Sequence, residues 1–105
     1  MTRRDRQILA ELAAALRKRF PEARVWAFGS RTTGHHTEES DLDVCVVVDR
    51  LDEPADREIM RTAWRVGFEK DVVISTLTYS REEFEGGPSS ESPLVQIILH
   101  DGVPA

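Results

Sequence analysis

Arg24-Val-Trp-Ala-Phe-Gly-Ser30 and Ser40-Asp-Leu-Asp-Val-Cys-Val-Val-Val48 are the two runs of this 105-residue chain on which the fold turns. In the first, Val25 and Ala27 alternate with Trp26 and Phe28. Both faces are therefore apolar, the pattern of a strand covered on two sides. Gly29-Ser30 closes it, and a polar stretch follows through Ser40. A second strand is expected from Leu42 to Val48, again apolar on both faces apart from its first turn.

Outward from these strands the helical period takes over. Thr2 to Phe20 reads as a helix, with Ile8, Leu9, Leu12, Ala13 and Leu16 on one apolar stripe. Arg17, Lys18 and Arg19 suit the negative end of its dipole, and Pro21 stops it. Pro54 to Phe68 reads as a second helix whose inward stripe would be Ile59, Met60, Ala63, Trp64 and Gly67. Asp71-Val-Val-Ile-Ser-Thr-Leu77 is expected to be a third strand. Ser80 and Glu83 have capping-box spacing, Gly86 to Glu91 reads as a loop, and Ser92-Pro93 opens a last helix that Gly102 ends. The result is an α/β (α+β) domain, a small sheet flanked by helices, in the order helix, strand, loop or short helix, strand, helix, strand, helix.

Composition narrows the function. The chain has 14 Lys plus Arg against 19 Asp plus Glu, a net charge of −5. Residues 1–24 hold seven basic and three acidic side chains, whereas residues 38–91 hold fifteen acidic and six basic ones. Such a chain is a poor binder of free nucleic acid, which needs Lys and Arg against phosphates. At this length one core, and a single domain over residues 1–105, is expected. No apolar run approaches the ~20 residues that cross a bilayer, and the start carries no signal-peptide pattern. The single cysteine, Cys45, has no internal disulfide partner, which suits a cytoplasmic setting, and reads as inert packing.

Chemistry converges on one end of the strands. Gly29 allows a sharp turn and the close approach of a ligand, and Ser30 adds a hydroxyl and an amide. A short helix opening there would point its first N–H groups at an anion. Asp41 and Asp43 flank Leu42, so both carboxylates face the same way, roughly 6.6 Å apart along the strand. Like charges at such a site repel and resist desolvation, and a hard cation relieves both costs. Asp71 would reach the same site if the second and third strands are neighbours, with Glu69 as its substitute. Carboxylates without thiolate or imidazole favour Mg²⁺ or Mn²⁺ over zinc. His35-His36 lack a third ligand at zinc spacing.

The run Gly29-Ser30-Arg31-Thr-Thr-Gly34 followed by Ser40-Asp41-Leu42-Asp43 resembles the signature of the DNA polymerase β-like nucleotidyltransferase superfamily, most closely its minimal (MNT-type) members. The resemblance implies a nucleotidyltransferase fold with a mixed sheet. It also implies that Gly29 and Ser30 hold the triphosphate of ATP or another nucleotide, with Arg31 and Ser40 as further nucleotide-binding candidates. Asp41, Asp43 and Asp71 would then bind two Mg²⁺ ions, and Asp71 could act as the general base. Relatives often continue beyond the Gly102 region with a short strand, whereas this chain ends at Val103-Pro104-Ala105.

So little chain remains for a base or an acceptor that the resemblance further implies a second protein, a helical HEPN-domain chain. Some such pairs are toxin–antitoxin systems in which the nucleotidyltransferase adenylylates a tyrosine of the toxin. Two alternatives stand beside this one: transfer to a small molecule such as an aminoglycoside, and a non-catalytic module that neutralises a toxin by covering it. Trp26 or other exposed apolar residues could form the partner surface or belong to the core; the sequence pattern allows both.

Overall fold

The computed structural model describes residues 1–34 and 39–105; His35 and His36 therefore lie outside the described residues. Among the described residues, five helices and four strands follow in the order α1 (Arg3–Arg19), β1 (Arg24–Phe28), α2 (Ser30–Thr33), β2 (Leu42–Val48), α3 (Glu53–Lys70), β3 (Ile74–Ser80), α4 (Arg81–Glu85), α5 (Pro93–Asp101) and β4 (Val103–Pro104), with a 3-10 turn at Pro88–Glu91. Local chemistry accounts for the helix ends. Thr2 accepts from the Asp5 N–H at the start of α1, and Asp52 accepts from the Ala55 N–H at the start of α3. Ser80 and Glu83 form the expected reciprocal capping box on α4, and Ser92 caps α5 ahead of Pro93.

The sheet is mixed, in the order β3-β2-β1-β4. β1 runs antiparallel to β2 and to β4, while β2 and β3 are parallel with α3 as the crossover between them. The short strand missing from the sequence reading is present after all: Val103 and Pro104 pair with Ala27 and Trp26. Two residues carry no detectable strand period, so only the edge of β1 could select them.

Strand alternation sends alternate residues into two separate cores. Leu42, Val44, Val46 and Val48 pack with Val25, Ala27 and the stripes of α1 and α3. Cys45, Val47 and Trp26 pack on the opposite face with Phe84 of α4 and with Val95 and Ile98 of α5. Of the two places open to it, Trp26 is thus core, stacked on Phe84 at 5.3 Å, and not partner surface. Leu12 sits wholly buried at the centre of the α1 stripe. Leu12→Ala should therefore cost about 2–5 kcal/mol in urea unfolding, from lost transfer energy plus the cavity left behind. Burial pushes the Cys45 thiol up to about 12. A thiol reagent at pH 8 should leave Cys45 intact in the folded protein and label it at the rate of global unfolding.

Two sequence expectations are corrected here. The third strand is Ile74–Ser80, not Asp71–Leu77. α3 runs two residues beyond Phe68, and Asp71 caps it in a left-handed conformation at φ 56°. Gly67 lets the chain fold back there, since a Cβ on it would lie 2.5 Å from the Val72 carbonyl oxygen. The inward face of α3 also differs. Ile59, Ala63 and Gly67 are buried, but Met60 is 56% and Trp64 69% exposed. The apolar arc of α3 is wider than the sheet beneath it can cover.

Candidate active site

Gly29 leaves β1 at φ 82° and ψ −157° and becomes the N-cap of α2. A side chain strains this geometry, and space forbids one as well: a Cβ on Gly29 would lie 2.5 Å from Asp43 Oδ2. The missing side chain is what lets the Asp43 carboxylate sit against the β1–α2 turn, opposite Phe28 in the strand register. The Gly29 carbonyl accepts from the Thr32 N–H at 3.1 Å and from Thr32 Oγ1 at 2.7 Å, which closes the single turn of α2. Ser30 follows directly as the first residue of α2, so its backbone and hydroxyl lie on the turn that the Asp43 carboxylate abuts.

Asp41 is exposed and Asp43 half-buried at the mouth of β2. Burial, followed by the charge of Asp41, holds the Asp43 carboxyl above the ordinary carboxylate range. The pair is thus an electrostatic conflict held in place by the fold, and a divalent cation relieves it. Mg²⁺ is commonly bound by one or two carboxylates together with substrate phosphates and water, so the donors present fit such an ion.

The third carboxylate is not brought to this site. Asp71 caps α3 outside β3 and lines the groove between α3 and β3. Glu69 is exposed within α3. No group of three or more His, Cys, Asp or Glu residues could hold a metal ion among the described residues. Register explains the difference. Asp43 pairs with Ser75, Cys45 with Leu77 and Val47 with Tyr79. Since Cys45, Val47, Leu77 and Tyr79 share the α4–α5 face, Ser75 shares the face of Asp43. A hydroxyl stands where a third carboxylate would be needed. A strand beginning at Asp71 would put that aspartate at the mouth of β3; because β3 begins three residues later, Ser75 takes the place instead.

Arg31 is corrected too. Its side chain is buried; Nη1 donates to Asp5 Oδ1 at 3.0 Å and Nε donates to the Ser40 carbonyl at 2.8 Å. The guanidinium ties α2 to α1 and to the segment entering β2, two contacts that a phosphate ligand would have to share. Ser40 enters the same arrangement through its backbone. Gly29→Ala should disrupt the site more than Ser30→Ala. The checkable outcome is nucleotide affinity: a loss of tenfold or more for Gly29→Ala, with a smaller change for Ser30→Ala.

An antiparallel β1–β2 pair carrying a Gly-Ser turn against an Asp-Leu-Asp strand, extended by a parallel β3, defines a nucleotidyltransferase-type domain. The chain matches the nucleotidyltransferase domain family over residues 9–103 and belongs to it. Similar solved structures include a toxin–antitoxin complex with AMP-PNP, at 22% identity and a TM-score of 0.63, covering 90% of this chain and 69% of that one. Two structures of MntA-HpeT toxin–antitoxin mutants are also similar. One carries a double Asp-to-Glu change and matches at 20% identity and a TM-score of 0.61, over 90% of this chain and 69% of the other. The second carries a Tyr-to-Ala change and matches at 22% identity and a TM-score of 0.61, over 91% of this chain and 69% of the other. At these identities the likeness is one of fold. No curated protein matches the chain.

Proposed function

We propose that this chain is the antitoxin half of a two-protein pair and transfers AMP from ATP to a hydroxyl of its partner, a tyrosine of a HEPN-type toxin. The observation that carries the reading is the Gly29–Asp43 contact, where a glycine is required so that a carboxylate can stand against the turn that opens α2. The family match and the fold shared with toxin–antitoxin structures support it.

In this reading the amides of Gly29 and Ser30 and the Ser30 hydroxyl receive the triphosphate, while Asp41 and Asp43 hold Mg²⁺. A bound divalent cation neutralises the triphosphate and polarises the α-phosphoryl group. The acceptor oxygen forms a bond to the α-phosphorus, the bond to the β-phosphate oxygen breaks, and pyrophosphate leaves. The acceptor proton passes to solvent at the open mouth, because β3 brings Ser75 and no carboxylate beside Asp43.

Incubation with α-labelled ATP, Mg²⁺ and the co-purified helical partner should transfer label to the partner. Transfer to an aminoglycoside by this chain alone would establish the small-molecule alternative instead. The serine opposite Asp43 favours one other reading, a non-catalytic module that neutralises its toxin by contact. Full neutralisation by Asp41→Asn/Asp43→Asn, with no label transferred by the unaltered protein, would decide for that reading.

A further inference from the structure

On the face of the sheet away from Asp43, α3 and β3 enclose an open groove of about 1010 Å³. Its walls are Met60, Trp64 and Phe68 from α3 and Val73 and Ile74 from the chain entering β3. Trp64 and Phe68 stack at 5.3 Å, and Phe68 is 75% and Val73 64% exposed. Together these side chains expose on the order of several hundred Å² of contiguous apolar surface, the size at which a patch on a monomer tends to be functional. β3 is also an edge strand, so nothing in the sheet covers this side.

The charge beside the groove identifies what fits. Met60, Trp64 and Phe68 recur every four residues, and Arg57, Arg61 and Arg65 form the next row around the helix at the same spacing. Arg57 and Arg61 hold local pairs with the exposed Glu53 and the half-buried Glu58, while Arg65 has no ion pair among the described residues. In a chain of net charge −5, α3 balances its charges, with the arginine row along the exposed apolar row and Asp71 at the far end of the groove. Antiparallel packing of α3 on α3 of a second copy would bring the two arginine rows together, which disfavours a homodimer there.

We infer that this groove docks an amphipathic helix of a partner chain, its apolar stripe on Met60, Trp64, Phe68 and Val73 and an acidic row against Arg57, Arg61 and Arg65. Rows spaced by four residues accept a second helix by ridge-into-groove packing at 8–10 Å between axes. The groove also adjoins the candidate active site. The Val73 carbonyl accepts from the N–H of Leu42, the residue between Asp41 and Asp43, at 2.8 Å. The groove thus reaches the end of β2 that carries the aspartates, on the opposite face of the sheet; delivery of an acceptor around that end rests on the proposed transfer function, whereas docking does not.

The probe is a pair of synthetic helical peptides with one leucine stripe, flanked by glutamates in one and by lysines in the other. Trp64 reports binding, because the other tryptophan, Trp26, is buried. The glutamate peptide should shift Trp64 emission to shorter wavelength and bind at least tenfold more tightly than the lysine peptide. Arg61→Glu/Arg65→Glu, at exposed positions, should reverse that order. Equal affinities, no shift, or an order unchanged by the double variant would overturn the assignment. So would a concentration-dependent dimer of the protein alone that Trp64→Glu dissolves, since the occupant would then be a second copy. Peptide binding needs no nucleotide, so its failure and the failure of label transfer are separately visible.

Discussion

Asp43→Asn should abolish nucleotidyl transfer while making the metal-free protein more stable. Loss of one of the two carboxylates proposed to hold the cation would remove both charge neutralisation and positioning, and a fall in rate of about 10³-fold or more is expected, since charge stabilisation of this kind is commonly worth that much. Asp41→Asn should act in the same direction. The stability effect follows from the direction of the Asp43 shift. Its folded carboxyl is held above the ordinary value of 3.8 by burial and then by Asp41, so the native state binds the proton more tightly than the unfolded chain does. Ionised Asp43 therefore weakens the metal-free fold, fully so above its raised folded value, and the penalty disappears as pH falls through and below 3.8. Thermal melts in chelator should show a higher Tm for Asp43→Asn than for the unaltered protein at neutral pH, converging in acid. Saturating Mg²⁺ with nucleotide should raise the Tm of the unaltered protein alone. An Asn variant that melts lower in chelator at neutral pH would contradict the electrostatic conflict inferred for the site.

Arg31→Ala should be the most damaging single change to stability away from the hydrophobic cores. Arg31 is 6% and Asp5 2% exposed, and their ion pair at 3.0 Å is sealed between α1, α2 and the start of β2. Removing one member of a buried pair strands the other charge, which typically costs about 3–5 kcal/mol. Asp5 Oδ2 is already buried without a hydrogen-bond partner among the described residues, so the stranded carboxylate would have little to turn to. Replacing both members is a different matter. Arg31→Met/Asp5→Leu should recover most of the loss, because an apolar pair of similar volume avoids desolvating two charges. Urea unfolding of the two variants checks this. If Arg31→Ala loses nucleotide affinity with an unchanged midpoint, the arginine faces the ligand and its positioning role is wrong.

Much of the fold follows from local patterns. The α1 stripe, the capping box at Ser80, the Ser92-Pro93 helix start and the doubly apolar β1 and β2 are all set by residues within a turn or two of one another. The aspartate pair was legible for the same reason, since strand alternation alone puts Asp41 and Asp43 on one side. Arg31, Asp71, Trp26 and Trp64 were not, because each depends on what a distant element brings. Arg31 meets Asp5 across twenty-six residues of chain. The place of Asp71 depends on how far α3 runs before Gly67 lets it turn back.

The short run from Arg24 to Val48 thus specified by itself a glycine turn, a carboxylate pair and two central strands, because turn chemistry and periodicity are local properties. Which side chain stands opposite Asp43, and which apolar face of α3 stays uncovered, depended on the parallel register of β2 and β3. That register is set by the joint packing of two cores against α1, α3, α4 and α5. Periodicity states which residues share a face; only packing states what that face meets.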